Sequence, residues 1–162
     1  MITIIVAVTT DLAIGKNGDQ LYYISADLRR FRELTTGHTI VMGRKTFDAL
    51  PSGPLPRRRN IIVSRQNNLS IQGAEVCASI ENAIAMAGDD DIYIIGGAQI
   101  YNAAMAFADR IELTEIMVER PDADTFFPYI DPAQWSIVMQ TEPETDPRSG
   151  VVYRYLTLDR IT

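Results

Sequence analysis

A lone carboxylate, two glycine-bearing junctions and a set of arginines are the residues of this chain whose types and spacing could do chemistry. Asp27 stands between Ile24 and Phe31, where apolar residues recur at helical spacing. In the first turn of a helix a carboxylate favours the positive end of the helix dipole. In an apolar cleft it could instead pair with an amidine-like heterocycle and tune proton transfer. Val41-Met42-Gly43-Arg44-Lys45-Thr46 puts a glycine, two cations and a hydroxyl where a strand passes into a helix, a setting that favours phosphate. Ile94-Ile95-Gly96-Gly97-Ala98-Gln99 repeats the junction, its paired glycines open to close backbone approach. Each junction alone also reads as a tight turn. Two of them in one chain fit a ligand with separated phosphates. Ser64-Arg65 offers a hydroxyl and a guanidinium for a ribose phosphate, and one of Arg57, Arg58 and Arg59 could fork onto a carboxylate. Neither G-x-G-x-x-G nor G-x-x-x-x-G-K-[ST] occurs, so a dinucleotide would be held without those fingerprints.

The elements that must position these groups follow a β-α-β rhythm. Ile2 to Val8 is a β-branched run suited to a strand buried on both faces. A glycine-punctuated loop, 11–18, follows, and Ser25 is placed to cap a helix from Ala26 to about Leu34 with Ile24, Leu28 and Phe31 as its apolar stripe. Strands are expected at 39–42, 60–64, 75–77 and 91–95, and helices at 43–50, 79–87 and 98–108, with a proline-rich loop at 51–56. Segments 110–118, 135–141 and 151–158 read as strands without intervening helices, and 142–150 as a long hairpin loop. The expected architecture is α/β in one domain, 1–162: a mixed, mostly parallel sheet flanked by helices, closing on an antiparallel hairpin. His38 falls at a helix-to-strand turn and reads as solvated; Cys77 and Trp135 read as core or surface residues.

Composition narrows the class. The chain has 162 residues, 46% hydrophobic and 22% charged, enough for one self-sufficient core. Its net charge of −6 argues against a dedicated binder of nucleic acid or anionic membrane. Yet Lys16, Arg29, Arg30, Arg32, Arg44, Lys45, Arg57, Arg58, Arg59 and Arg65 crowd into residues 16–65 against only Asp19, Asp27, Glu33 and Asp48. This unevenness fits either a solvated arginine face or a site for a small, highly charged anion. One Cys and one His build neither a disulfide nor a zinc site, so no metal is expected and a reducing cytoplasm is the expected location. The apolar run at the start lacks a basic flank and is too short for a signal peptide or membrane span.

These residues line up with a known family. The chain resembles chromosomal-type dihydrofolate reductase of bacteria through Ala7 with Asp11-x-x-Ile14-Gly15, Ala26-Asp27-Leu28-x-x-Phe31, Val41-Met42-Gly43-Arg44-x-Thr46-Phe47, Pro54-Leu55-Pro56-x-Arg58-x-Asn60, Ile95-Gly96-Gly97-x-x-Ile100-Tyr101, Leu113-Thr114 and Asp124-Thr125-x-Phe127-Pro128. The resemblance implies a central sheet of eight strands with four helices, and hydride transfer from NADPH to C6 of dihydrofolate with protonation at N5. It implies that Asp27 bonds the pterin, supported by Thr114, and that Ile5, Ala7, Leu28, Phe31, Leu50, Leu55, Ile95 and Tyr101 contact substrate, with Arg58 on the glutamate α-carboxylate. For the cofactor it implies Ala7, Ile14, Thr46, Gly96, Gly97 and Tyr101 about the nicotinamide half, Gly43, Arg44, Lys45, Ser64 and Arg65 around the phosphates, and Gly15, Lys16, Ala98, Gln99 and Ile100 as further cofactor contacts. A cis peptide between Gly96 and Gly97, a monomeric state and binding of antifolates such as trimethoprim or methotrexate are also implied.

One segment departs from the family pattern. Many members carry Pro-Trp-x-Leu-Pro before the active-site helix, where this chain has Leu21-Tyr22-Tyr23-Ile24-Ser25. Two further readings stand beside folate reduction: an NADPH-dependent reductase of a related pterin or pyrimidine, and a nucleotide-binding module without catalysis. Asp27, Phe31 and Arg58 together match both ends of folate and weigh against the former, while the altered segment is the sole support for the latter.

Overall fold

The computed structural model describes residues 1–66 and 68–162. In chain order the elements are β1 (Ile2–Thr9), β2 (Ala13–Lys16), β3 (Asp19–Gln20), α1 (Ser25–Thr35), β4 (Thr39–Gly43), α2 (Arg44–Asp48), β5 (Arg59–Val63), β6 (Glu75–Cys77), α3 (Ile80–Ala87), β7 (Ile92–Ile94), α4 (Ala98–Ala104), β8 (Arg110–Ile116), β9 (Thr125–Phe126), β10 (Trp135–Gln140), β11 (Glu144–Thr145) and β12 (Val152–Arg160). The strand order is β10-β12-β8-β1-β7-β4-β5-β6, with the two-residue β11 added alongside β12. This is the mixed eight-stranded sheet with four helices and antiparallel C-terminal strands that the sequence implies. Residues fall into two compact units, Met1–Ile4 with Leu34–Ala108, and Ile5–Glu33 with Asp109–Thr162.

The first unit holds the parallel strands. Thr39 pairs with both Ile92 and Arg59, and Ile61 with Glu75, so β7, β4, β5 and β6 run in sequence. Their residues are the apolar, β-branched runs expected of strands covered on both faces, and Ile40, Val41, Met42, Ile61 and Ile62 are fully buried. Phe47, Leu50, Leu55, Tyr93 and Ile95 pack onto Ile40, Met42 and Ile62. Ser79 caps α3 by accepting from the Asn82 N–H at 3.0 Å. α4 stops at Ala104, short of the expected 98–108, because the N–H groups of Phe107 and Ala108 converge on the Ala104 carbonyl in a tightened last turn. His38 is half-buried, its ring 5.7 Å from that of Tyr93, and so is not the solvated residue its turn position suggests.

The second unit holds the antiparallel strands. Tyr155 stands opposite Thr114 and Thr157 opposite Glu112 in β12 and β8. Four expectations are corrected here. The 11–18 loop contains β2 and leads into β3, a hairpin turned by Asn17 (φ 54°) and Gly18 (φ 78°), the positive-φ pair that a tight hairpin turn requires. The 142–150 loop contains β11 and is tightened by Asp146, whose carboxylate accepts from the Ser149 N–H and hydroxyl. Ser25 is the first residue of α1 rather than its cap: Ile24 supplies the carbonyl that accepts from Leu28 N–H at 3.1 Å. The apolar stripe is corrected too, since Ile24 is buried but Leu28 is 46% exposed.

Candidate active site

In the second unit α1 delivers Asp27 half-buried, with its Oδ1 accepting from the Thr114 hydroxyl at 2.5 Å. Thr114 is 2% exposed on β8, so the donor is fixed by the sheet. Burial pushes the Asp27 carboxyl above the ordinary carboxylate range, while the Thr114 hydrogen bond and the Arg30 charge oppose the rise. The group is thus poised to exchange a proton nearer neutrality than a solvated aspartate. Ala7 and Tyr22 pack around Ile24, Ile116 and Tyr153, and Phe31 is half-buried farther along α1. Leu28 carries a large apolar side chain into the open beside Asp27, an arrangement that water does not stabilise and an apolar ligand would.

The β2–β3 hairpin of the same unit is tied down by carboxylates. Lys16 meets Asp122 at 3.1 Å, Asp122 also receives Arg120, the Asn17 N–H donates to Asp124, and Asp11 accepts from Thr9 and from the Arg120 N–H. The Lys16 ammonium is therefore engaged by protein, while Ile14 is half-buried and Gly15 packs so closely that a Cβ there would meet the Asp19 carbonyl at 3.1 Å.

In the first unit the two glycine junctions lock together. The Gly43 N–H donates to the Gly96 carbonyl at 2.8 Å, and a Cβ on Gly43 would stand 3.0 Å from Ile100. Gly96 has φ 129°, a conformation closed to residues with a side chain, and the Gly96–Gly97 peptide is cis, as the resemblance implies. The Thr46 hydroxyl and the buried Tyr101 hydroxyl converge on this backbone, 3.5 and 3.4 Å from where a Gly96 Cβ would lie. α4 follows with Ala98 and an exposed Gln99. Arg44 is turned onto Asp48 at 2.9 Å, whereas Lys45 and Arg65 are exposed. Ser64 follows β5 and bonds to its own turn through the Gln66 N–H.

The three arginines after the proline loop are sorted by their partners. Arg59 forks onto both oxygens of Glu75 and reaches the Met86 carbonyl, and Arg57 is exposed at φ 59°. Arg58 donates Nε to the Pro56 carbonyl at 2.9 Å and Nη1 to the Thr35 hydroxyl at 3.1 Å, two neutral acceptors that orient its fork. The buried side chain of Asn60 braces the loop, accepting from the Leu55 N–H and donating to the Leu55 and Arg58 carbonyls. Sequence reasoning passed over Thr35 and gave Asn60 no role; a polar residue opening the apolar run Asn60-Ile61-Ile62-Val63 was the available signal.

The family profile described as Dihydrofolate reductase matches residues 1–160. The chain belongs to the dihydrofolate reductase family. It is 41% identical over 156 residues to the dihydrofolate reductase of Neisseria gonorrhoeae, covering 96% of this chain and 95% of that one. It is 39% identical over 164 residues to that of Mycobacterium tuberculosis, covering 99% and 98%. The solved dihydrofolate reductase from Enterococcus faecalis, complexed with NADP(H) and RAB-propyl, superposes with a TM-score of 0.90 at 30% identity, covering all of this chain and 97% of that one. The chain is thus an NADPH-dependent oxidoreductase that reduces 7,8-dihydrofolate to 5,6,7,8-tetrahydrofolate. Among the described residues no cluster of His, Cys, Asp and Glu could hold a metal, and no helix is long and apolar enough to cross a membrane.

Proposed function

We propose that Asp27 is the group that holds the pterin and governs its protonation, that Arg58 receives the glutamate α-carboxylate, and that residues 1–162 work as one monomeric, cytoplasmic domain open to antifolates such as trimethoprim or methotrexate. The observation that carries this reading is the Asp27–Thr114 pair. A carboxylate fixed by one donor keeps its second oxygen for an amidine-like ring edge, and partial burial strengthens that charge-assisted contact. Leu28 and Phe31 on α1, with Ile5 and Ala7 on β1, supply apolar surface for the flat ring. Leu50, Leu55 and Ile95, which pack onto Ile40, Met42 and Ile62, are assigned as further substrate contacts.

The residues present also suit NADPH. Gly96, Gly97 and Gly43 bring bare backbone together beside the Thr46 and Tyr101 hydroxyls, a cradle that a side chain would fill. Ala7 and Ile14 are assigned with Thr46, Gly96, Gly97 and Tyr101 to the nicotinamide half, Gly43, Arg44, Lys45, Ser64 and Arg65 to the phosphates, and Gly15, Lys16, Ala98, Gln99 and Ile100 to the cofactor without a side. When bound, the cofactor supplies the hydride; this chain's residues bind, orient and desolvate the reacting rings. Arg44 meets Asp48 through Nε, so its Nη groups are the part of the guanidinium assigned to a phosphate. Loss of NADPH absorbance with and without dihydrofolate tests the reading, followed by the same assay on Asp27→Asn. Full turnover by Asp27→Asn at neutral pH would overturn the assignment of Asp27.

A further inference from the structure

Helix α1 is fastened to β8 twice, and only one of the two fastenings touches Asp27. Asp27 accepts from Thr114, and Arg30, one turn farther along α1, donates Nη2 to Glu112 Oε2 at 2.7 Å. Residues three apart share a helix face, and residues two apart share a strand face, so the pairs 27/30 and 112/114 meet as two rungs. β12 backs both rungs in register, with Tyr155 opposite Thr114 and Thr157 opposite Glu112. The Thr157 hydroxyl donates to Glu112 at 2.9 Å, and the Arg30 guanidinium lies 4.3 Å from the centre of the Tyr155 ring. Glu112 is 8% exposed and Thr157 4%.

A buried ion pair is a poor device for stability, because desolvating both ions consumes most of their attraction. Its position relative to Asp27 gives it a different use. The Arg30 charge favours the Asp27 carboxylate, and Glu112, two residues along β8 from Thr114, takes a hydrogen bond from the same guanidinium. The other titratable groups on this side are Tyr155 and Tyr153 of β12, Glu144 bonded to the Tyr153 hydroxyl, and Tyr22 ahead of α1. Residues 5–9 of β1 bring no ionisable side chain. Burial, and then the Asp27 charge, push the Tyr155 phenol up to about 12, so it stays neutral while Asp27 titrates.

We propose that Arg30 and Glu112 are positioning residues that set the pH at which Asp27 takes its proton, Arg30 holding the carboxylate charged and Glu112 limiting that hold. The placement of the pair does not depend on the assigned role of Asp27; only its consequence for catalysis rests on the proposed function.

The test is a carbon-13 titration of the Asp27 carboxyl in the full chain without ligands, for Arg30→Met, Glu112→Gln and the double variant. Arg30→Met should raise the Asp27 midpoint by about one pH unit, the size expected for one nearby charge screened by a partner. Glu112→Gln should lower it by roughly half a unit, and the double variant should return close to the parent. A purely structural pair would loosen the site in both single variants and move the midpoint the same way. Shifts of one sign, or none in either variant, overturn the proposal. Should Arg30→Met fail to fold, Glu112→Gln alone decides, a fall supporting the proposal and a rise or no change refuting it. The pH profile of hydride transfer, read on the same proteins, should follow the titration. Titration shifts that the profile ignores would sink the assigned role of Asp27 and leave the charge pair standing.

Discussion

Replacing Arg58 should weaken the grip on one end of the substrate and leave the other untouched. Arg58 is held at Nε by the Pro56 carbonyl and at Nη1 by the Thr35 hydroxyl, so its planar fork is oriented before a carboxylate arrives. A charge-assisted hydrogen bond contributes about 1.5 to 3 kcal/mol, which corresponds to roughly one to two decades in Kd. Arg58→Leu should therefore raise the dissociation constant of dihydrofolate by that factor while leaving dihydropteroate, which lacks the glutamate, bound as in the parent. Arg59→Leu is the control. Its partner Glu75 is half-exposed, the pair contributes about 1 kcal/mol or less, and dihydrofolate binding should be unchanged. The stability effect has a definite pH sense. Arg59 holds the Glu75 carboxyl below its ordinary value, so the contribution is present above the unfolded-state pKa of Glu75 and disappears as pH falls through the folded value. The Tm deficit of Arg59→Leu should be largest near neutrality and fade in acid. Equilibrium titration of both ligands against the parent, Arg57→Leu, Arg58→Leu and Arg59→Leu decides the matter. Equal loss for dihydropteroate and dihydrofolate in Arg58→Leu, or a larger loss in Arg57→Leu, refutes the reasoning.

Asp27→Asn should lose much of the hydride-transfer rate at neutral pH and recover part of it in acid, and because burial raises the Asp27 carboxyl its charge disfavours the fold at neutrality, so the variant's Tm at pH 7 should not fall below the parent's. A strong preference for NADPH over NADH is expected in kcat/KM, and Arg44→Ala and Arg65→Ala should raise KM for NADPH while hardly moving that for NADH. Leu21→Pro, Tyr22→Trp and Ser25→Pro combined should change hydride-transfer rate and trimethoprim affinity without abolishing either; identical values for both quantities would show that the departure at 21–25 is neutral.

The groups proposed to touch ligands were legible in the sequence because each is an unusual residue in an unusual place: a carboxylate in an apolar stripe, glycines directly after strands, an arginine after Pro-Leu-Pro. The groups that hold them were not. Thr35 lies on the far turn of α1, more than twenty residues from the arginine it orients, and nothing local marks it. Glu112 looks like an alternating polar residue of β8, and only the register with β12 and the reach of Arg30 reveal that it is buried. The parallel core was readable because β-branched runs covered on both faces need no partner information. The short pairings were lost for the opposite reason. Two-residue strands such as β3, β9 and β11 carry too few side chains to show alternation, although Asn17-Gly18 was a hairpin signal in plain view.

The altered segment ahead of α1 is accommodated by exchange of parts within its own unit. Tyr22 packs on Ile24, Ile116 and Tyr153, and the Arg120 guanidinium lies 5.6 Å from the centre of its ring, so it takes the aromatic place. Tyr23 does not share that place: it is 56% exposed and its hydroxyl donates to Asp19. Ser25 occupies the first turn of α1, where a helix N–H has no partner in the helix and where proline is equally at home. Arg120 also carries Asp122, and Asp122 carries Lys16, so the ring of Tyr22 is linked through one guanidinium to the β2–β3 hairpin. The substitution therefore bears on how that hairpin is held and leaves the Asp27–Thr114 pair intact, which is why it argues for altered loop behaviour and inhibitor fit and against a chain that has lost its chemistry.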